Sequence, residues 1–297
     1  MAAFASGCTT ISFVIANVPA SFGPYHRTTG LAYGNEPRQK LDVYVPEEGA
    51  SDSGKTKRPV VIFWYGGSWD SGDRGSYRFV GAALAKEGFV TVLPDYRIYP
   101  GVKFPVFLED AANAVAWVQQ HAAEFGGDPH HIVLMGHSAG AHMAAYLALN
   151  HEFLTQHGAR REDIVGLVGL SGPYILAPNT RVLHTIFSKP YTETDWQPAR
   201  FVSSEAPPAF LAHGLNDTLV SVKQTEVLRD KLRASHVRVE AQLYPGVGHA
   251  DTVAALSIPA RGRAPVLDQA SNFIRSVTST PLPAPALSGS LQSDPSH

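Results

Sequence analysis

The chain has 297 residues, 44% of them hydrophobic and 17% charged, with a formal net charge of -2. That composition belongs to a folded globular chain long enough for one sizeable core. The balanced charge, with no basic run, gives no electrostatic footprint for a nucleic-acid partner. The single cysteine, Cys8, excludes an internal disulfide, and no apolar run approaches the ~18 residues that a bilayer span needs.

Residues 1 to about 27 predict an extended arm, because Pro19, Gly23 and Pro24 interrupt any period. Within it, Ala3 to Cys8 reads AFASGC, small residues before a cysteine, as at the end of a lipoprotein signal region. A lipid on Cys8 would anchor the chain to a membrane without spanning it. The cell envelope and the cytoplasm therefore stand as equal expectations for its location.

Half-exposed strands are expected at Leu31 to Gly34 and at Lys40 to Pro46, where apolar and polar residues alternate. Pro59 to Gly67, PVVIFWYGG, is continuously apolar and predicts a strand buried on both faces. A helix over Tyr77 to Gly88 and a strand over Phe89 to Arg97 follow. Phe104 to Gly126 has helical period, residues 132–136 read as a strand, and 139–149 read as a helix. Further strand-then-loop units span Ile164 to Tyr174 and Pro208 to Asp217. A helix at Ser221 to Ser235, a strand at Val237 to Pro245 and a last helix at about 264–278 complete the pattern. From residue 280 the chain is rich in proline and serine, and disorder is expected there. Unbroken alternation of strand and helix predicts one α/β domain over residues 28–279, a mostly parallel sheet of about eight strands with helices on both faces.

One pentapeptide concentrates the chemistry. Gly136-His137-Ser138-Ala139-Gly140 fits G-x-S-x-G, with a strand before it and a helix after it. Small flanking residues permit a sharp turn that exposes the serine hydroxyl beside a helix N-terminus. Serine needs a base. Of the thirteen histidines, His249 follows a late strand and a glycine-rich loop, on the side where ligands meet an open sheet. His130 and His131 precede the nucleophile strand, His142 lies inside the next helix, His213 is within its own strand, and His137 abuts the serine on the strand side. Asp217, past another strand end, is the expected orienting acid, in the chain order Ser…Asp…His. Asp251, two residues after His249, reads as a cap for the next short helix. Oxyanion donors are expected from Ala139 N–H and from the loop Tyr65-Gly66-Gly67-Ser68-Trp69. No metal-ligand spacing and no phosphate loop is present, so neither metal nor cofactor is expected.

These motifs, in this order from LDVYVP through VVIFWYGGSW, PDYRIYP, GHSAGAH and HGLNDTLV to GVGHADT, resemble the α/β-hydrolase superfamily. More narrowly they look like carboxylesterases related to hormone-sensitive lipase, bacterial feruloyl-esterase-like proteins and kynurenine formamidases. The resemblance implies Ser138 as nucleophile, Asp217 as acid, His249 as base, and Gly67, Ser68 and Ala139 as oxyanion donors. The family's usual His-Gly-Gly-Gly is here Tyr65-Gly66-Gly67-Ser68, with tyrosine at the position of the bracing histidine. The SGC arm also looks like the start of bacterial lipoprotein hydrolases of this group.

Residues of about 173–205 are expected to form a short cap. Its Tyr174 and Trp196, with Tyr65 and Trp69, are the expected walls of an apolar substrate pocket. A short cap implies small or aryl esters as the partner molecule. Two alternatives stay open: an arylformamidase using the same residues, and a ligand-binding protein that has lost catalysis.

Overall fold

Val60 to Trp64 offer no charged side chain to water, so a strand built from them must be covered on both faces. The computed structural model describes residues 14–47 and 57–279, and among them this strand is near the middle of an eight-stranded sheet. The strands are β1 (Tyr25–Ala32), β2 (Lys40–Pro46), β3 (Arg58–Trp64), β4 (Val90–Pro94), β5 (Gly127–His137), β6 (Ile164–Leu170), β7 (Ala209–Gly214) and β8 (Val239–Tyr244). Their order across the sheet is β1-β2-β4-β3-β5-β6-β7-β8. The β1/β2 and β2/β4 pairs are antiparallel, and every other pair is parallel.

The helices are α1 (Arg78–Lys86), α2 (Val106–His121), α3 (Ala139–Leu149), α4 (His151–Gln156), α5 (Arg181–Ile186), α6 (Glu193–Trp196), α7 (Lys223–Ala234), α8 (Asp251–Ala254) and α9 (Val266–Thr278). α1 and α9 touch each other and cover one face of the sheet; α2 and α3 touch each other and cover the other. α3 is buried at every position, packed over β3, β5 and β6. The expected fold class and the strand–helix alternation are borne out.

Several elements differ from the sequence expectation, β5 among them, which starts at Gly127 and not at 132. The edge strand β1 starts at Tyr25, inside the expected arm, because pairing with β2 makes a strand of the exposed polar run His26 to Thr29. β2 is buried at almost every position instead of alternating. Its polar residue Asp42 is accommodated by Arg74 Nε at 2.8 Å, and Tyr44 packs on Gly81 of α1. The long helical pattern after Phe104 divides into α2 and a 3-10 turn, Ala122–Phe125, stopped by Gly126 in the left-handed region at φ 71. The expected arm is pinned where it is described: Asn17 accepts from Phe79 N–H at 2.9 Å and donates to Ser76 O at 2.8 Å, serving the start of α1. Cys8 and the tail from residue 280 lie outside the described residues.

Candidate active site

β5, β7 and β8 are parallel, so their carboxyl ends open on one edge of the sheet, and Ser138, Asp217 and His249 all follow those ends. Ser138 sits at φ 54 and ψ -121 between β5 and α3. Such a conformation costs on the order of 1–3 kcal/mol for a residue with a Cβ and persists only when its surroundings impose it. They do so here by close packing. A Cβ on Gly136 would lie 2.2 Å from Gly140 O, and one on Gly140 would lie 2.0 Å from Trp64 O. Both glycines therefore serve close backbone approach, and Ser138 N–H is tied to Leu170 O at 2.9 Å.

His249 Nε2 is 2.8 Å from Ser138 Oγ, and His249 Nδ1 is 2.7 Å from Asp217 Oδ2. With Nδ1–H donating to the carboxylate, Nε2 is left to accept the serine hydroxyl hydrogen. The Asp217 side chain is fully buried, and Oδ1 accepts from Leu219 N–H at 2.9 Å and Val220 N–H at 2.8 Å. Burial would raise the Asp217 pKa, but hydrogen bonds from His213, His249 and Val220 N–H outweigh it and hold the carboxyl well below the usual range. Asp251 lies outside this chain of bonds; it opens α8, accepts from Gly248 N–H at 2.8 Å and pairs with Arg263 at 3.2 Å.

The loop after β3 lies against Ser138: a Cβ on Gly66 would be 2.9 Å from Ser138 Cβ. Gly67, Ser68 and Trp69 run at φ 133, 50 and 60, and Gly67 O closes the turn by accepting from Asp70 N–H and Ser71 N–H, each at 3.0 Å. No acceptor among the described residues takes the N–H of Gly67, Ser68 or Ala139. Two donors, in that strained turn, and a third at the first residue of α3 thus stay without an acceptor.

Residues 41–232 match the profile of the BD-FAE family, a span that includes Ser138 and Asp217 and stops short of His249. The chain belongs to the BD-FAE family. It is 32% identical over 256 residues to the probable isoprenylcysteine alpha-carbonyl methylesterase ICMEL1 of Oryza sativa subsp. japonica, covering 78% of this chain and 58% of the relative. It is 31% identical over 244 residues to the esterase LipC of Mycobacterium tuberculosis, covering 75% and 59%. The chain therefore spans little more than half the length of the curated relatives it matches. Its fold is shared with esterase B of Lactobacillus rhamnosis inhibited by a tributyrin phosphonate, at TM-score 0.78, 20% identity and 93% coverage of each chain. The α/β-hydrolase resemblance read from the motifs holds.

The pocket residues expected in this BD-FAE member need correction. Tyr65, Trp69, Tyr174 and Trp196 are 0, 3, 0 and 5% exposed, so they support the site from behind. Tyr65 is stacked between Tyr96 at 4.8 Å and Tyr77 at 5.5 Å. Its hydroxyl donates to Asp95 at 2.8 Å and accepts from Arg38 at 2.9 Å. Burial, with Tyr96 and Asp95 nearby, pushes its pKa well up, so the phenol keeps its hydrogen. Tyrosine thereby fixes the start of the loop after β3, and the Arg74 pair with Asp95 anchors it. Trp69 meets Phe187 at 4.8 Å and His142 at 5.0 Å, and Phe187 meets Trp196 at 5.4 Å. This aromatic cluster welds the loop to the cap segment that holds α5 and α6. Tyr174 packs its hydroxyl against Gly169 and Gly172.

His137 and His142 are packed into the core, in line with the sequence expectation for them. His137 Nε2–H donates to His249 O at 3.0 Å, and His142 Nε2–H donates to Trp196 O at 2.7 Å. Burial lowers their pKa values to about 3 and about 4, with the charge of His249 adding to the first. Sequence patterning gave no warning of the Asp42, Arg74 and Asp95 cluster, whose members are distant in the chain. A cavity of about 390 Å³ lined by Leu147, Leu154, Ile164, Pro208 and Val277 lies at the amino ends of β6 and β7, on the edge opposite Ser138, and is lined by none of Ser138, Asp217 and His249.

Proposed function

We propose that this protein is a serine carboxylesterase that hydrolyses small or aryl carboxylic esters through an acyl-enzyme. The observation that carries the reading is the continuous hydrogen-bonded chain from Ser138 Oγ through His249 to the buried Asp217, at 2.8 and 2.7 Å. His249 Nε2 takes the hydroxyl proton as Ser138 Oγ bonds to the ester carbonyl carbon. The carbonyl oxygen becomes an oxyanion that the N–H groups of Gly67, Ser68 and Ala139 receive. As the carbon–oxygen bond to the alcohol breaks, the His249 proton goes to the departing oxygen. Water then repeats the sequence on the acyl-serine: His249 takes its proton, the hydroxide oxygen bonds to the acyl carbon, and Ser138 Oγ leaves with the proton. Asp217 holds the imidazole in the required tautomer throughout. The residues alone complete this cycle, with no metal or cofactor in it.

The relatives' names support ester hydrolysis, and methyl esters belong in the substrate panel because one relative is named a methylesterase. Exposed Leu215 and Leu219 flank Asp217 and offer an apolar rim for the substrate. Anchoring by a lipid on Cys8, and with it a place in the cell envelope, belongs to the same reading. It is tested by mass spectrometry of the N-terminal peptide, an unmodified Cys8 removing it.

A labelled organophosphonate is expected to modify Ser138 in the folded protein, and S138A is expected to lose both labelling and turnover while melting as the parent does. Turnover by S138A, or a folded parent that refuses the label, would overturn the assignment. Nitrophenyl esters are expected to be cleaved best at short acyl lengths; a rate that climbs into long chains contradicts the small-ester reading. Faster turnover of formylkynurenine than of nitrophenyl acetate would make the protein an arylformamidase.

A further inference from the structure

A second histidine reaches the carboxylate of the proposed triad. His213 lies in β7, and its side chain is fully buried. Its Nε2 is 3.2 Å from Asp217 Oδ2 and 2.9 Å from Val220 O. Both neighbours are acceptors, so Nε2 carries a hydrogen and donates to them. Nδ1 stands 2.8 Å from Thr225 Oγ1 on α7. Both ring nitrogens are therefore partnered, whereas His137 and His142 each leave a buried Nδ1 without a hydrogen bond. β7 is otherwise apolar up to its terminal glycine, AFLAHG, and a buried imidazole is costly there unless such bonds offset its loss of water.

Asp217 consequently receives donors on both oxygens. Leu219 and Val220 N–H hold Oδ1, and His249 and His213 share Oδ2. The torsion that turns a carboxylate plane is soft and broadly populated. Donors on Oδ1 fix one oxygen and leave the direction of the other to whatever meets it. His213 meets Oδ2 from the side of β7 and α7, both rigid elements, while His249 comes from the loop after β8. We propose that His213 is a positioning residue: it sets the plane of the Asp217 carboxylate so that Oδ2 faces His249 Nδ1, with Val220 O and Thr225 Oγ1 orienting its own ring. The inference rests on the reading of Ser138, His249 and Asp217 as the triad. The side-chain partners of His213 are Asp217, Val220 and Thr225, and Ser138 is not one of them.

The test compares H213L, which removes the donor, with H213Q, whose side-chain amide can still donate to Asp217 and accept from Thr225. The parent and both variants are assayed as the full chain on nitrophenyl acetate, and the downfield proton resonance of the His249–Asp217 hydrogen bond is recorded. H213L is expected to lower kcat by about ten- to a hundredfold with KM changed less than about twofold, and to lose the resonance. H213Q is expected to stay within about threefold of the parent and to keep it. Parent-like kcat in H213L overturns the proposal, and so does an equal loss in both variants, which would mark a merely structural role. If H213L fails to fold, T225V decides, since it removes one anchor of the ring at constant shape. A drop in kcat of about threefold or more supports the proposal, and none overturns it. A parent that organophosphonate does not label at Ser138 removes the triad reading itself, whereas labelling of the parent together with parent-like variants removes only the role of His213.

Discussion

Acid should destabilise this protein from about pH 6.5 downwards, because two buried histidines refuse protons. His137 and His142 have pKa values near 3 and 4 in the folded state, against 6.5 for an ordinary imidazole, with burial the leading cause for each. Folded values below the unfolded value mean that the unfolded chain takes up protons first. The stabilisation is complete above pH 6.5 and falls as the pH drops towards 4. Each such group costs about 1.4 kcal/mol per pH unit, so the pair costs about 2.7 kcal/mol per unit. At pH 4, where the folded His142 itself begins to take its proton, the loss is about 6 kcal/mol, comparable with the entire stability of a typical domain. His151, lowered by burial and by Arg161, acts in the same direction. The depressed carboxyl of Asp217 contributes in a separate window, its stabilisation present above the ordinary value of 3.8 and lost below it. Urea midpoints followed by tryptophan fluorescence from pH 7 to 4.5 measure the slope. H142Q keeps an N–H donor within reach of Trp196 O and cannot titrate, so the slope should fall by about 1.4 kcal/mol per unit. A flat stability profile over that range, or an undiminished slope in H142Q, would refute the assignment of buried neutral imidazoles.

Three further outcomes are expected. D217N places an amide where His249 and His213 both donate, so kcat on a nitrophenyl ester should fall by about 10³–10⁴ with the fold retained; a loss under tenfold counts against Asp217. G140A drives a methyl to 2.0 Å from Trp64 O, and since both sides are backbone the helix must move off β3. A destabilisation of at least about 1–3 kcal/mol should appear in thermal melts, and an unshifted melt would show that the turn can relax. R74A removes the Arg74 cation from Asp95 and from Asp42, which keeps Arg27 at 3.7 Å, and should cost about 1–3 kcal/mol, with a fall in kcat because Asp95 holds the Tyr65 hydroxyl; an unchanged kcat would separate that cluster from the loop after β3.

The parallel centre of the sheet was legible in the sequence because burial on both faces leaves uninterrupted apolar runs, as in Val60 to Trp64. The G-H-S-A-G turn was legible because its two glycines answer a steric demand that no other residue meets. β1 was not: His26 to Thr29 are polar and exposed, and only the hydrogen bonds of β2 make a strand of them. The aromatic residues around the site show the same division. Their composition announced an apolar lining, yet whether a ring faces substrate or core depends on what packs on its far side, and Trp69, Phe187 and Trp196 close on one another.

By itself the sequence determined the fold class and the tight G-H-S-A-G turn between strand and helix, and it offered Ser138, Asp217 and His249 in that chain order as the candidates for the proposed chemistry, since each follows from local patterning and short-range sterics. Only the tertiary structure decided that His249 meets both Ser138 and Asp217, that Asp217 Oδ2 is shared with His213, and that Tyr65 is stacked between Tyr77 and Tyr96 with its hydroxyl on Asp95. Those contacts join residues up to 111 positions apart, and hydrogen bonds of that range are set by the register of neighbouring strands, which no local pattern encodes.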